Sequence, residues 1–404
     1  MTGRRSVLKG MAGAVPTSLI GASTQFVNAA IPEAVGRDYF AELGLKPFIN
    51  AAGAYSTYGG ARMRPEVVQT MRFAATQKVR VRELHDAVGV RIAELVGSEA
   101  AMVTSGATAS IVLGTAACMT RGDEARMRQL PDTTGIRNEV IIQKKHRNTY
   151  DRALIVPGAK LVEVQTEEDV HRAAGDRTAM MFFLLPTQRG DDIPAARYRE
   201  IAAELGIPTF CDAATTTPPG TNVVEGAQAG FDLICYSGGK GLRGPYSAGL
   251  LIGRRDLVSF ARRHGAPNDL SIGRGMKVSI EEYIGMLVAL QTSLGISEVD
   301  DLAFKQGRFD RIIEAIHDLP GVEASTFVSG SHAREMYLDI NWDTNEIDLT
   351  REDFVQALRD NDPSIEIRLF AFSGGRIHLS ATVMADGEDV IVGEAIRRIL
   401  HAHS

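Results

Sequence analysis

Cysteine is scarce in this chain, and what there is follows no pattern. Three cysteines occur among 404 residues: Cys118, Cys211 and Cys235. Their number is odd and their spacing fits no metal-ligand motif, which argues against both a disulfide framework and a metal site. Each stands in an apolar run and reads as a buried core thiol. Long hydrophobic runs are also missing; none would span a membrane as a mature segment. No long basic stripe occurs and the formal net charge is −6, so the electrostatic footprint of a nucleic-acid binder is absent. Repeats and low-complexity tracts are absent as well. What remains is an ordinary globular composition, 44% apolar and 23% charged, in a chain long enough for two structural domains.

The N-terminus departs from this texture. "RRSVLKGMAGAVPTSLIGAS" opens on Arg4 and Arg5, continues through Val7, Leu8 and Lys9 into a weakly apolar stretch, and is followed by "FVNAA" with small residues at Ala29 and Ala30. This resembles a twin-arginine export signal over residues 1–29, with Val7 where Phe is commoner; the alternative is a basic tail. Loss of its three cations would take the net charge from −6 to −9. The expected location is periplasmic, or cytoplasmic if the signal does not function.

Residues 65 to 96 start at Pro65, read as helical and stop at Gly97. Then "AAMVTSGATASIVLGTAACM" joins a short apolar run to an apolar helix through a Ser-Gly break. Short apolar runs recur: "EVIIQ", "KLVEV", "AMMFFLL", "PTFCDAA", "DLICYS" and "AGLLIG", several of them separated by helical stretches such as 195 to 205. This alternation predicts a largely parallel sheet in an α/β layer fold. Residues 278 to 317 read as long helices, and 321 to 404 as a smaller α+β domain. The expected division is therefore 1–29, 30–277 and 278–404.

"CYSGGKGLRGP" places Lys240 in a run of glycines. A plain Gly-rich turn with an exposed lysine is one reading; a lysine that reaches a ligand packed against backbone is the other. Asp212, 28 positions upstream, ends an apolar strand and faces the crevice where α/β sheets bind ligands, unless it is only a helix cap. "TSGATAS" puts Ser105, Gly106, Ala107 and Thr108 at a helix start, which is either a simple N-cap or an anion site. His146 follows another strand end and is either structural or a ring-stacking residue. The order of these pieces fits pyridoxal 5'-phosphate. A lysine amine binds it covalently, a carboxylate keeps its ring nitrogen protonated, a helix N-terminus holds its phosphate and a flat side chain covers its ring. The glycines beside Lys240 would let the backbone approach the cofactor.

"PFINAAGAYSTYGGARM", "CDAATTTPP", "SGGKGLRGPYSAGLLIG" and "IGRGMKVSIEEYIGMLVAL" resemble segments of the selenocysteine synthase / D-glucosaminate-6-phosphate ammonia-lyase family of fold-type I pyridoxal-phosphate enzymes. The resemblance runs from the first of these to the C-terminus. It implies an aspartate-aminotransferase-like fold with a mostly parallel seven-stranded sheet and a smaller C-terminal α+β domain. It makes Lys240 the cofactor-carrying lysine and Asp212 the ring-nitrogen partner. Ser105, Gly106, Ala107, Thr108 and Ser237 would hold the phosphate, and His146 would stack on the ring. A homodimer or higher homo-oligomer is implied, with Tyr55–Arg62 and Arg274–Lys277 reaching the partner's site. Tyr55, Arg243, Arg274 and Arg376 are the candidate substrate contacts; Arg376 would pair with an amino-acid carboxylate, or else form a surface salt bridge.

The expected activity is α,β-elimination on an amino acid or amino-sugar acid with ammonia release, a lyase reaction. Aminotransferase, aldolase or racemase chemistry on the same scaffold are alternatives, and a binding protein without turnover is the non-enzyme one. Selenium transfer to tRNA fits poorly, because an export signal and a short linker stand where that enzyme carries its tRNA domain. If Arg4 and Arg5 form a signal, replacing both by lysine strands the uncut protein in the cytoplasm, since the guanidinium pair is read and not charge alone. Cell fractionation checks this; wild-type protein found uncut and cytoplasmic would remove the export claim.

Overall fold

The computed structural model describes residues 37–185, 192–330, 333–369 and 376–404. The arginine pair and the rest of the 1–29 segment lie outside the described residues. The first unit is described over residues 37–47, where Asp38 caps a one-turn helix, Tyr39–Glu42, by accepting from the amides of Phe40 and Ala41.

The second unit, 48–404, begins with β1 (Phe48–Asn50) and two helices, α1 (Pro65–Ala75) and α2 (Val81–Val96). The helix expected from 65 to 96 is thus two. Thr76 ends the first by turning both its amide and its hydroxyl onto the Phe73 carbonyl, which tightens the last turn. Gly97 ends the second in the left-handed region at φ 70°, as its place in the sequence suggests.

The main sheet uses β2 (Ala100–Thr104), β3 (Glu139–Gln143), β4 (Lys160–Val164), β5 (Thr178–Leu184), β6 (Thr209–Asp212), β7 (Leu233–Ser237) and β8 (Gly249–Gly253). Its seven strands run in the order β2-β8-β7-β6-β5-β3-β4; β8 is antiparallel to both neighbours and the remaining pairs are parallel. Alternate residues feed two cores: Met180 and Phe182 of β5 enter one, Met181 and Phe183 the other. Burial on both faces is why these strands read as continuous apolar runs rather than as alternating ones. Helix α3 (Gly106–Thr120) lies in the core of Met180 and Phe182 and is buried from Ala109 to Thr120. All three cysteines are free and buried.

Helix α4 (Ile280–Leu294) packs with α1 and α2 into the core of Met181 and Phe183; the Tyr283 hydroxyl lies 3.1 Å from His85 Nδ1. Helix α5 (Glu298–Ile316) then leads into the C-terminal layer. There β9 (Val322–Val328), β10 (Met336–Trp342), β11 (Ser364–Glu366), β12 (Arg368–Leu369) and β13 (Ile377–Ser380) precede α6 (Glu388–His401). An antiparallel sheet, β12-β13-β10-β9, buries Leu338, Ile340 and Leu379 with Phe309 and Ile312 of α5 and Ile396 of α6. β1 joins this layer by pairing in parallel with β11, which carries Ile49 into the C-terminal core. No helix among the described residues is long and apolar enough to cross a membrane.

Gly114, in the middle of α3, is set by packing. A Cβ there would fall 2.3 Å from Phe210 Cε1 and 3.1 Å from Leu233 Cδ1, on the floor of β6 and β7. Alanine gains about 1 kcal/mol of helix propensity, but overpacking of a closed core costs roughly 1–3 kcal/mol. Gly114→Ala is therefore expected to lower the thermal unfolding midpoint, and Gly114→Ala combined with Phe210→Leu to regain most of it.

Candidate active site

Four strand ends converge on one cavity of about 460 Å³. β2 delivers Ser105 and the start of α3. Gly106 turns the corner at φ 85°, and behind it Gly249 of β8 comes so close that a Cβ would lie 2.5 Å from the Gly106 carbonyl carbon. The Thr104 hydroxyl donates to the Gly106 carbonyl at 3.0 Å and fixes the turn. Ser105, Gly106, Ala107 and Thr108 all line the cavity, so the unpaired amides of a fifteen-residue helix open onto it. Ser237, at the end of β7, lines it as well, as does Ser247, whose hydroxyl donates to Glu282.

Asp212 ends β6 in the middle of the sheet. Its Oδ1 accepts from the Ala214 amide at 2.9 Å and lies 3.8 Å from the Cys235 sulfur. Among the described residues no group bonds Oδ2. Burial is the main influence on this carboxyl and pushes its pKa up; the Ala214 amide and nearby Lys240 act against it. Burial also pushes the Cys235 thiol well above its ordinary range, so the sulfur stays protonated beside Asp212. Lys240 lines the same cavity, with its Nζ 6.0 Å from the centre of the Tyr150 ring. Its pKa is lowered, chiefly by burial and against the attraction of Asp212.

The glycines around Lys240 have a different cause from the one the sequence suggests. A Cβ on Gly238 would meet the Ala248 carbonyl oxygen at 2.8 Å, one on Gly239 the Tyr246 Cα at 2.7 Å, and one on Gly241 the Thr217 carbonyl at 2.3 Å. It is the protein's own backbone that crowds this turn, so the glycines hold Lys240 in place through the chain itself.

Several expected residues lie elsewhere. His146 is fully buried and does not line the cavity. Its Nδ1 accepts the Leu184 amide at 3.2 Å, its ring meets Phe183 edge-on, and Asp192 is 3.8 Å from Nε2. The short helical turn Lys144–His146 points it inward, and burial lowers its pKa to about 4. Tyr150, four residues on and 55% exposed, is the aromatic on the cavity wall, with Asn148 beside it capping the turn through the Tyr150 amide. Arg376 does not line the cavity either; it stands just before β13 and pairs with Asp339 at 2.5 Å, while the β10–β13 register sets Asp339 opposite His378. Tyr55 is also absent from the wall, which its neighbours Ala54 and Ser56 provide. Its ring lies under the guanidinium of Arg368, 4.8 Å away. Segment Tyr55–Arg62 closes the cavity of its own chain: Ala61 donates to the Gly239 carbonyl at 2.8 Å, and the Tyr246 hydroxyl donates to the Ser56 carbonyl at 3.3 Å. Arg243 opens onto a second cavity, and Arg274 is outside both, paired with Asp269 at 3.3 Å. Tyr150 left a signal in the sequence, an Asn cap followed by an aromatic just past a strand end; Ser247 and Tyr246 left none.

No protein-family model matches the chain. It is 28% identical over 367 residues to 5'-C-glycyluridine monooxygenase-decarboxylase of Streptomyces sp, which covers 87% of this chain and 90% of that protein. It is 26% identical over 382 residues to D-glucosaminate-6-phosphate ammonia lyase of Salmonella typhimurium, covering 89% and 97%. A solved structure of D-glucosaminate-6-phosphate ammonia-lyase superposes with a TM-score of 0.79 at 24% identity, over 91% of this chain and 99% of that one. The fold is that of the fold-type I pyridoxal-phosphate enzymes. The chain is also 25% identical over 275 residues to L-seryl-tRNA(Sec) selenium transferase of Moorella thermoacetica, but that match spans 59% of this chain and 54% of the transferase. The similarity to the ammonia lyase extends over nearly all of both chains, and that to the transferase over about half.

Proposed function

We propose that the protein is a pyridoxal-phosphate-dependent lyase that releases ammonia from an amino acid or amino-sugar acid by α,β-elimination. The observation that carries this is that Lys240, Asp212 and the N-terminus of α3 share one cavity. The residues fit the cofactor. The free amides at Ser105–Thr108 and the hydroxyl of Ser237 suit its phosphate, and Lys240 its aldehyde carbon. Asp212, a buried carboxylate with one oxygen uncommitted, suits its protonated ring nitrogen. Tyr150 replaces His146 as the candidate for the ring face.

When bound, pyridoxal 5'-phosphate supplies an electron sink for the charge that develops at the substrate's α-carbon. Asp212 would keep the ring nitrogen charged, and its burial beside Cys235 and the Ala214 amide would strengthen such an ion pair. Burial favours the neutral amine of Lys240, so its Nζ is suited to taking the α-proton. The substrate loses that proton and a leaving group from the β-carbon, and the unsaturated amine hydrolyses to a keto acid and ammonia. The similarity to the monooxygenase-decarboxylase, which also spans most of both chains, supports a second reading in which the bond from the α-carbon to the carboxylate breaks. Ammonia release from a panel of amino acids, D-isomers and amino-sugar acids, without added keto acid or oxygen, tests the first reading. Release of carbon dioxide that needs oxygen would favour the second, and a required keto-acid acceptor would favour transamination.

Assembly as a homo-oligomer belongs to the same proposal. The loop before α4 supports it, because Leu270 is 71% exposed and Arg274 is paired only at the surface. Export of the folded, cofactor-loaded protein to the periplasm is the reading kept for the N-terminus.

Purified protein is expected to be yellow, to bleach with borohydride and to carry the cofactor mass on the peptide containing Lys240; the mass on any other peptide would sink the assignment. Asp212→Asn should still bind the cofactor yet turn over on the order of a hundredfold more slowly, the size of a key electrostatic contact. Near wild-type turnover would mean that another group supports the ring nitrogen.

A further inference from the structure

β6 and β7 pair in parallel, with Asp212 directly opposite Cys235. Residues paired in this way point to the same side of the sheet. That side is the core of Met180 and Phe182, where Cys235 is fully buried and Phe210, two residues before Asp212, packs as well. Cys211 alternates to the other side, into the core of Met181 and Phe183. Two equally buried thiols thus stand next to Asp212 in the sheet. One shares the side of the carboxylate, and the other faces away from it.

The Cys235 sulfur lies 3.8 Å from Asp212 Oδ1, and the Ala214 amide donates to the same oxygen at 2.9 Å. Charge decides the direction of the sulfur contact. Burial first, and the Asp212 carboxylate second, push the Cys235 thiol well above its ordinary range. The sulfur therefore keeps its proton and donates it to the carboxylate. A thiol is a weak donor in water. Here the sulfur is sealed from solvent in the core it shares with Phe182, Phe210 and Leu251, where an electrostatic contact counts for more.

Two donors on Oδ1 restrict rotation of the carboxylate and leave Oδ2 uncommitted among the described residues. They also favour the charged form. Burial raises the Asp212 pKa, and the Ala214 amide, the charge of Lys240 and the Cys235 thiol all act against that rise. The thiol therefore makes Asp212 a weaker base than burial alone would. This matters for a carboxylate that shares a proton with the ring nitrogen of pyridoxal 5'-phosphate. A more basic carboxylate takes that proton, and a neutral ring is the poorer electron sink.

We infer that Cys235 is a positioning residue for Asp212: its thiol donates to Oδ1 and so keeps the shared proton on the cofactor's ring nitrogen rather than on Oδ2. The role at the ring nitrogen rests on the cofactor reading above, whereas the contact with Asp212 concerns the protein alone. In the cofactor-free full chain, the Asp212 carboxyl is followed through a pH titration by isotope-edited infrared spectroscopy, its band assigned by its loss in Asp212→Asn. Cys235→Ala, which removes the donor, is expected to move the protonation midpoint upward, and Cys235→Ser, which keeps one, to hold it near the wild type. Cys211→Ala loses the same core volume on the other side and is expected to leave the midpoint in place. If the Ala and Ser variants do not fold, Cys235→Val and Cys235→Thr, alike in shape and different in the hydroxyl, give the same comparison. In yellow holoenzyme with cofactor labelled at its ring nitrogen, nitrogen-15 NMR is expected to show that nitrogen protonated in the wild type and Cys235→Ser, and shifted towards the neutral form in Cys235→Ala. With a substrate found in the panel above, kcat of Cys235→Ala should fall on the order of tenfold, the size of one lost hydrogen bond to a charged group, with KM little changed. A midpoint unmoved in Cys235→Ala, or moved equally in Cys211→Ala, would overturn the thiol's hold on Asp212. A raised midpoint with an unchanged ring nitrogen would overturn its control of the shared proton. Protein that never takes up the cofactor fails the cofactor reading, and the infrared comparison still decides the contact.

Discussion

The buried carboxylate of Asp212 is the constraint on which the site depends. It stands at the end of a central strand, in a place where burial opposes its charge. Among the described residues its hydrogen-bond partners, the Ala214 amide and the Cys235 thiol, both fall on Oδ1. A buried carboxylate left half-satisfied is costly, and a cationic donor on its open oxygen relieves that cost. The large sheet makes the arrangement durable. β6 is flanked by β5 and β7, and its side chains pack into cores on both faces, so the carboxylate cannot relax towards water without disturbing the whole sheet.

Around that fixed point the chain places its other groups by close backbone contact. Gly249 admits the start of α3, and Gly238, Gly239 and Gly241 admit Ala248, Tyr246 and Thr217 around Lys240. Rigid approach of this kind holds the Lys240 side chain at the cavity through the backbone. The same turn carries Arg243 and, through a backbone bond, Arg64, so Lys240 and the two arginines share one piece of scaffold.

The C-terminal layer is not an independent appendage. It takes β1 from the start of the unit, and its sheet holds Arg376 against Asp339. Arg368, on the edge strand β12, lies over the Tyr55 ring, while Arg376 is held by Asp339 of β10.

The sequence by itself determined the strands of the main sheet, because burial on both faces writes each one as a short apolar run. "EVIIQ" and "KLVEV" coincide with β3 and β4 residue for residue. It also determined the local pieces of the site: a strand-end Asp212, a helix start at Ser105–Thr108 and a Gly-rich turn at Lys240 are each encoded within a few neighbouring residues. Only the tertiary structure decided which long-range partners these residues take. The reversal of β8, the crossing of β1 to the C-terminal layer, the inward turn of His146 and the pairing of Arg376 all depend on residues far away in the chain. Side-chain direction at a turn and strand neighbours in a sheet are set by packing, and packing has no signature in local spacing.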